Sequence, residues 1–126
     1  HWGVDNRSCG FRVPISDRHN RRVENRLPGA DSNPYLAIAA SLVCGYIGMI
    51  ERMLPPKEIE GSAYNRARTL PRTLEAALDR FAACKKVKQL LGEDFFDIFF
   101  AVKDQELYNY QSVVSSWERE HLLLRV

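Results

Sequence analysis

A chain of 126 residues has the size of one ordinary domain. Hydrophobic residues make up 45% of it and charged residues 27%, a composition that excludes general disorder. The 18 basic and 16 acidic side chains leave a net charge of +2, which excludes a nucleic-acid or anionic-membrane binder that relies on overall charge. The three cysteines have no CxxC spacing, so they indicate neither a disulfide framework nor a zinc site, and they fit a reducing, cytoplasmic compartment.

The N-terminal segment predicts two short antiparallel strands, at about residues 9–14 and 21–27. Both runs alternate polar and apolar side chains, as half-buried strands do, although Asn25 interrupts the apolar row of the second. Pro14 ends the first run, Pro28 ends the second, and a polar loop joins the two.

Three helices are predicted to follow, at about residues 34–53, 71–91 and 93–120, the second of them broken near Lys85. Ser32 or Asn33 is the expected N-cap of the first helix, with proline in its first turn. The sequence therefore predicts an α+β fold, in which short antiparallel strands precede a mainly helical C-terminal part.

The first of these helices carries no charged residue between Tyr35 and Ile50. Its small residues lie on several faces, which favours a helix packed by other protein over one that spans a membrane. A helix that is apolar all round needs neighbours all round, and a chain this short supplies too few of them. We therefore expect part of the surroundings to come from further polypeptide, and the start at His1 without methionine agrees with this expectation.

The second predicted strand carries the most informative side chains. Arg22, Glu24 and Arg26 alternate along it and would project from one face, and Arg12 on the neighbouring strand adds a further guanidinium. Guanidinium groups suit phosphate and carboxylate oxygens, and a carboxylate suits a hard cation such as Mg²⁺. The alternative is a solvent-exposed ladder of ion pairs with little energetic value.

The basic excess of the chain is confined to this N-terminal region. Residues 1–28 hold six arginines and no lysine against three acids. An oligonucleotide-binding surface is the other interpretation of such a cluster, but the interspersed acids argue against it. The motifs of phosphate-binding loops and serine hydrolases do not occur in the sequence.

Several motifs in this order resemble the C-terminal part of the glutamine synthetase catalytic domain. They are Asn6-Arg7-Ser8, Phe11-Arg12-Val13-Pro14, Arg21-Arg22-Val23-Glu24-Asn25-Arg26 and Asn33-Pro34-Tyr35-Leu36-Ala37. The later Leu70-Pro71-Arg72, Leu91-Gly92 and Trp117-Glu118-Arg119-Glu120 are similar to that family's terminal helices, so the resemblance covers nearly the whole chain. The stretches 24–31 and 115–121 most resemble the branch of γ-glutamyl-polyamine (putrescine) synthetases.

The resemblance implies a ligase that uses ATP and Mg²⁺ or Mn²⁺ to join the γ-carboxylate of glutamate to an amine or ammonia through an acyl phosphate. By motif, Glu24 would be a metal ligand, Arg12 and Arg22 would bind the phosphates and act in catalysis, and Arg7 and Arg26 would bind glutamate. It also implies a cytoplasmic homo-oligomer of stacked rings, with neither a nucleic-acid nor a membrane partner.

The family's catalytic domain is much longer than this chain, so the resemblance places His1 inside a longer protein and predicts that residues 1–126 alone are inactive. Two alternatives stay open on the sequence. One is an ordinary glutamine synthetase that uses ammonia. The other is a helical assembly module without enzymatic activity, in which the arginine-rich strands form a surface ladder.

Overall fold

A small three-stranded sheet begins the chain. The computed structural model describes residues 1–125 and divides the chain into two compact units, His1–Thr69 and Leu70–Val126. Strand β1 (Trp2–Val4) pairs in parallel with β2 (Phe11–Val13), which pairs antiparallel with β3 (Glu24–Asn25). The predicted antiparallel pair is confirmed, but the second strand has two paired residues rather than seven, and β1 was not predicted.

The segment from residue 56 to residue 63 is tied to the start of the chain by side-chain hydrogen bonds. The Asn6 Nδ2 atom donates to the carbonyls of Ile59 and Gly61, at 3.0 and 2.7 Å. The Asn6 Oδ1 atom accepts from the backbone and hydroxyl of Ser8, whose Oγ in turn accepts from the Ala63 amide at 2.8 Å. Asn6 and Ser8, the residues on either side of Arg7, therefore hold the start of the chain to residues 59–63, and we call these contacts the clamp.

Gly3 is required in β1 because the returning segment passes so close to it. A Cβ atom on Gly3 would lie 2.9 Å from the Asn6 Cβ and 2.9 Å from the Ile59 carbonyl oxygen. The second of these neighbours is backbone, so it cannot rotate away. Any larger residue would push the strand and the clamp apart.

Helix α1 spans Pro34–Ile50 and ends three residues before the predicted limit. Asn33 is its N-cap, and the Asn33 Oδ1 accepts from the amides of Tyr35 and Leu36 at 3.0 and 3.3 Å. Apolar side chains on several faces of α1 stay exposed, such as Leu42 at 68% and Met49 at 72%, which agrees with the expectation that this chain alone does not surround the helix. Within residues 1–125, no helix is long and apolar enough to cross a membrane.

The second unit consists of helices. These are α2 (Leu74–Ala83), α3 (Lys85–Leu91), α4 (Glu93–Gln111) and α5 (Ser116–His121). The predicted break near Lys85 is confirmed, but the prediction of one continuous helix over 93–120 is wrong. Ser115 starts a new helix there, because its hydroxyl accepts from the Glu118 amide while the Glu118 carboxylate accepts from the Ser115 amide.

Aromatic rings form the core of the second unit. Phe96 is only 4% exposed, and its ring stacks on Phe81 with the centroids 4.1 Å apart. Phe99 meets the same Phe81 ring edge-on at 5.5 Å. Tyr110 on the same helix and Trp117 on α5, by contrast, are exposed in this chain.

Candidate active site

The register of the sheet places two of the predicted site residues opposite each other. Arg12 on β2 and Glu24 on β3 are Cα partners across the antiparallel pair. The Arg12 Nη1 atom donates to Glu24 Oε2 at 2.8 Å, and Arg22 Nη2 donates to Glu24 Oε1 at 3.2 Å. Each oxygen of one carboxylate therefore accepts from a different guanidinium group, and three of the five predicted site residues lie in direct contact.

A second carboxylate completes this cluster, and the sequence analysis did not include it. Asp5, one residue after β1, accepts a hydrogen bond from Arg12 Nη2 through its Oδ1 atom. The Arg12 side chain is 14% exposed, and within residues 1–125 its buried Nε atom has no hydrogen-bond partner. Arg12 is thus held at both Nη atoms, each of which carries a second N–H.

The contact between Arg12 and Glu24 favours the charged forms of both residues. Hydrogen bonding to Arg12 is the main cause that lowers the pKa of Glu24, and Arg22 adds to it. The hydrogen bonds from Arg12 to Glu24 and Asp5 raise the pKa of Arg12 in the same way. Glu24 is therefore an anion at neutral pH, which is the state in which a carboxylate binds a cation.

The lowered pKa of Glu24 predicts how stability depends on pH. Ionised Glu24 stabilises the fold above its ordinary pKa of about 4.3, and this contribution is lost as the pH falls through the lower pKa of the folded state. An NMR titration of the Glu24 side-chain carbon should give a midpoint below the ordinary value. Arg12→Lys should shift that midpoint upwards, and a midpoint at or above the ordinary value in the unaltered protein would contradict the contact geometry.

Asn25, which interrupted the apolar row of the predicted strand, connects the site to α1. The Asn25 Nδ2 atom donates to the Ser41 hydroxyl at 2.9 Å, and that hydroxyl donates to the Ala37 carbonyl at 2.7 Å. The residue next to Glu24 is therefore fixed to the second turn of a long helix. A polar side chain at this position is explained by its partner rather than by the strand pattern.

The structure does not bring the other two predicted residues into the cluster. Arg26 continues the β2–β3 pairing through its amide, which donates to the Gly10 carbonyl at 2.8 Å, but its side chain is exposed. Arg7 is also exposed and lines an open groove with Glu58 and Glu60. Within residues 1–125, neither side chain forms an ion pair, so both guanidinium groups are free to bind an anion.

A divalent cation could take one ligand from this cluster. Each Glu24 oxygen accepts one guanidinium hydrogen bond and keeps a lone pair, and Mg²⁺ is often held by one or two carboxylates together with substrate phosphates. Among the described residues, no group of three or more His, Cys, Asp or Glu side chains could hold a metal ion. A cation held by Glu24 would therefore need further ligands from outside the described residues.

Comparison with known proteins identifies the family of this chain. The model of the glutamine synthetase catalytic domain matches residues 1–122. The chain belongs to the glutamine synthetase family. The resemblance inferred from the motifs is confirmed, and the motif residues can be compared with those of the family along almost the whole chain.

The similar curated proteins include amine ligases and a glutamine synthetase. The chain is 37% identical to a glutamate–isopropylamine ligase of Pseudomonas and 36% identical to the γ-glutamylputrescine synthetase of Escherichia coli, over 93% and 97% of its length. It is 35% identical to type-1 glutamine synthetase 2 of Dictyostelium discoideum, over 97% of its length. The aligned regions cover 26%, 26% and 24% of these relatives, so this member of the family spans about a quarter of their length.

Proposed function

We propose that residues 1–126 form the C-terminal portion of the catalytic domain of an ATP-dependent ligase that joins the γ-carboxylate of glutamate to an amine. The observation that carries the proposal is the Arg12–Glu24–Arg22 cluster across β2 and β3, in a chain of the glutamine synthetase family. The expected assembly, a cytoplasmic homo-oligomer of stacked rings, belongs to the same proposal.

The proposal gives each clustered side chain a role that its contacts support. Arg12 and Arg22 bind the phosphates and the phosphoryl group in transfer, since each Nη atom of Arg12 keeps a second N–H and the Arg22 side chain is 54% exposed. Glu24 would be one ligand of Mg²⁺ or Mn²⁺, and such an ion would neutralise phosphate charge. The exposed guanidinium groups of Arg7 and Arg26 bind the carboxylates of glutamate.

The chemistry runs in two steps. A γ-carboxylate oxygen of glutamate attacks the terminal phosphorus of ATP, and ADP leaves with the electrons of the broken P–O bond. The amine nitrogen then attacks the carbonyl carbon of γ-glutamyl phosphate, phosphate leaves, and the nitrogen gives up a proton. Phosphoryl transfer asks the protein mainly for positioning and positive charge, which the Arg12 and Arg22 guanidinium groups supply.

A polyamine such as putrescine is the proposed amine, and ammonia is the alternative. Two similar proteins are named glutamate–isopropylamine ligase and γ-glutamylputrescine synthetase, and these names support an organic amine. The identity to a glutamine synthetase is only slightly lower, at 35% against 37% and 36%, so the ammonia alternative has support as well. The amine therefore has to be decided by assay.

The test is a comparison of amines with an intact enzyme that contains this chain. Phosphate release that depends on ATP and glutamate is measured with putrescine, isopropylamine and ammonia, and we expect the highest kcat/KM with putrescine. A preference for ammonia would agree with the ligase function but would refute the polyamine assignment. If no phosphate were released with any of these amines, the proposed function would be refuted. The 126-residue chain alone is the control and should release none, because it supplies one metal carboxylate.

A further inference from the structure

Asp5 has one of the few left-handed backbone conformations outside the glycines of this chain. Its backbone has a φ of +48°, in the left-handed region that is uncommon for residues other than glycine. The Asp5 amide donates to the Val13 carbonyl at 2.9 Å, which fixes the residue against the end of β2. From this position its carboxylate accepts from Arg12 Nη2, so the unusual backbone places an acid beside the candidate catalytic arginine.

The residues around Asp5 hold this turn in place. Gly3 has no space for a side chain between Asn6 and the Ile59 carbonyl, and the Asn6 amide group is bound to the carbonyls of Ile59 and Gly61. A rigid turn loses little entropy when its carboxylate binds a neighbour. The contact between Asp5 and Arg12 is thus better defined than an ordinary ion pair between two flexible surface side chains.

Asp5 and Glu24 restrain the Arg12 guanidinium from its two ends. Glu24 binds Nη1 and Asp5 binds Nη2, so rotation of the plane would break at least one of the hydrogen bonds. With Glu24 alone, the group could pivot about a single contact, and its remaining Nη N–H groups would change direction. Phosphoryl transfer depends strongly on such orientation.

We propose that Asp5 is a positioning residue that orients the Arg12 guanidinium for the phosphates of the nucleotide. This inference rests on the proposed ligase function and adds a residue to it. Asp5 touches no reacting atom in this role and acts through Arg12. Removal of the Asp5 carboxylate should therefore lower kcat/KM for ATP, while the ion pairs of Glu24 with Arg12 and Arg22 persist.

The test uses two substitutions that suit a positive φ, Asp5→Gly and Asp5→Asn, in the intact enzyme. Glycine removes the carboxylate and relieves the backbone strain, so a loss of activity cannot be ascribed to that strain. Asparagine keeps a neutral acceptor. We expect kcat/KM for ATP to fall about 10–100-fold in Asp5→Gly and less in Asp5→Asn, with an unchanged unfolding temperature. Asp104→Asn, which removes an exposed acid on α4, is the matched control and should leave kcat/KM unchanged.

A double substitution distinguishes action through Arg12 from an independent effect. If Asp5 acts through Arg12, Asp5→Gly should cost much less in an Arg12→Lys background than in the unaltered enzyme. Suppose that Arg12→Ala abolishes activity, as the proposed function requires. The inference about Asp5 would then be overturned by equal losses of kcat/KM in both backgrounds, or by unchanged kinetics in Asp5→Gly. Unchanged activity in Arg12→Ala itself would instead refute the role of Arg12 in the proposed function.

Discussion

Glu24→Gln lowers kcat about 10²–10³-fold in an intact ligase that contains this chain, if the proposed function is right. Glutamine has nearly the same size but no charge, and one carboxylate oxygen becomes an NH₂ group facing a guanidinium. Both oxygens of Glu24 accept from arginines, so the substitution loses an acceptor as well as the metal ligand. Steady-state rates with saturating ATP, glutamate and amine measure the loss, together with the Mg²⁺ concentration needed for half-maximal rate.

Glu106→Gln is the matched control for this prediction. Glu106 lies on α4 and pairs with Lys103 at 2.6 Å, so the same chemical change removes an exposed ion pair outside the candidate site. We expect rates close to those of the unaltered enzyme, because exposed ion pairs of this kind contribute little. If Glu24→Gln were equally harmless, the cluster would be the surface ladder that the sequence left open as an alternative.

Phe96→Ala should lower the free energy of unfolding of the helical unit by about 3–5 kcal/mol. The Phe96 side chain is almost fully buried and stacks on Phe81, so its removal leaves a cavity lined by aromatic rings. Phe96→Leu keeps most of the apolar volume and should cost less. Urea denaturation of the 126-residue chain followed by far-UV circular dichroism measures the difference.

Tyr110→Ala serves as the control for the core substitution because it lies on the same helix and is 79% exposed. Its effect should stay within about 0.5 kcal/mol. A loss in Phe96→Ala no larger than that of Tyr110→Ala would show that the rings of α2 and α4 do not form the core of this unit.

The sequence predicted best those elements whose first residues form hydrogen bonds with the backbone of the same element. Asn33 and Pro34 define the beginning of α1, and the structure confirms this start. The break between α4 and α5 has a local signal too, the capping-box spacing of Ser115 and Glu118, which the predicted helix over 93–120 did not take into account. Strand β1 has no such signal, because three residues are too few for a period.

The site was predictable to the extent that it depends on the pairing of β2 with β3. Alternation placed Arg22 and Glu24 on one face, and the antiparallel register brought Arg12 opposite Glu24. Asp5 was not predictable, because its position depends on a positive φ and on the parallel pairing of β1, neither of which has a pattern in the sequence. The metal, nucleotide and glutamate roles of these residues remain predictions.

The clamp between the start of the chain and residues 59–63 has a consequence for the order of folding. Its hydrogen bonds join residues 53 to 55 positions apart, so they close a loop that contains β2, β3 and all of α1. Closure of such a loop costs chain entropy before its contacts form. On the ribosome, the turn that carries Asp5 and Arg7 cannot reach its final form until residue 63 has emerged. Asp5 and Arg7 therefore wait for residues that are made more than fifty positions after them.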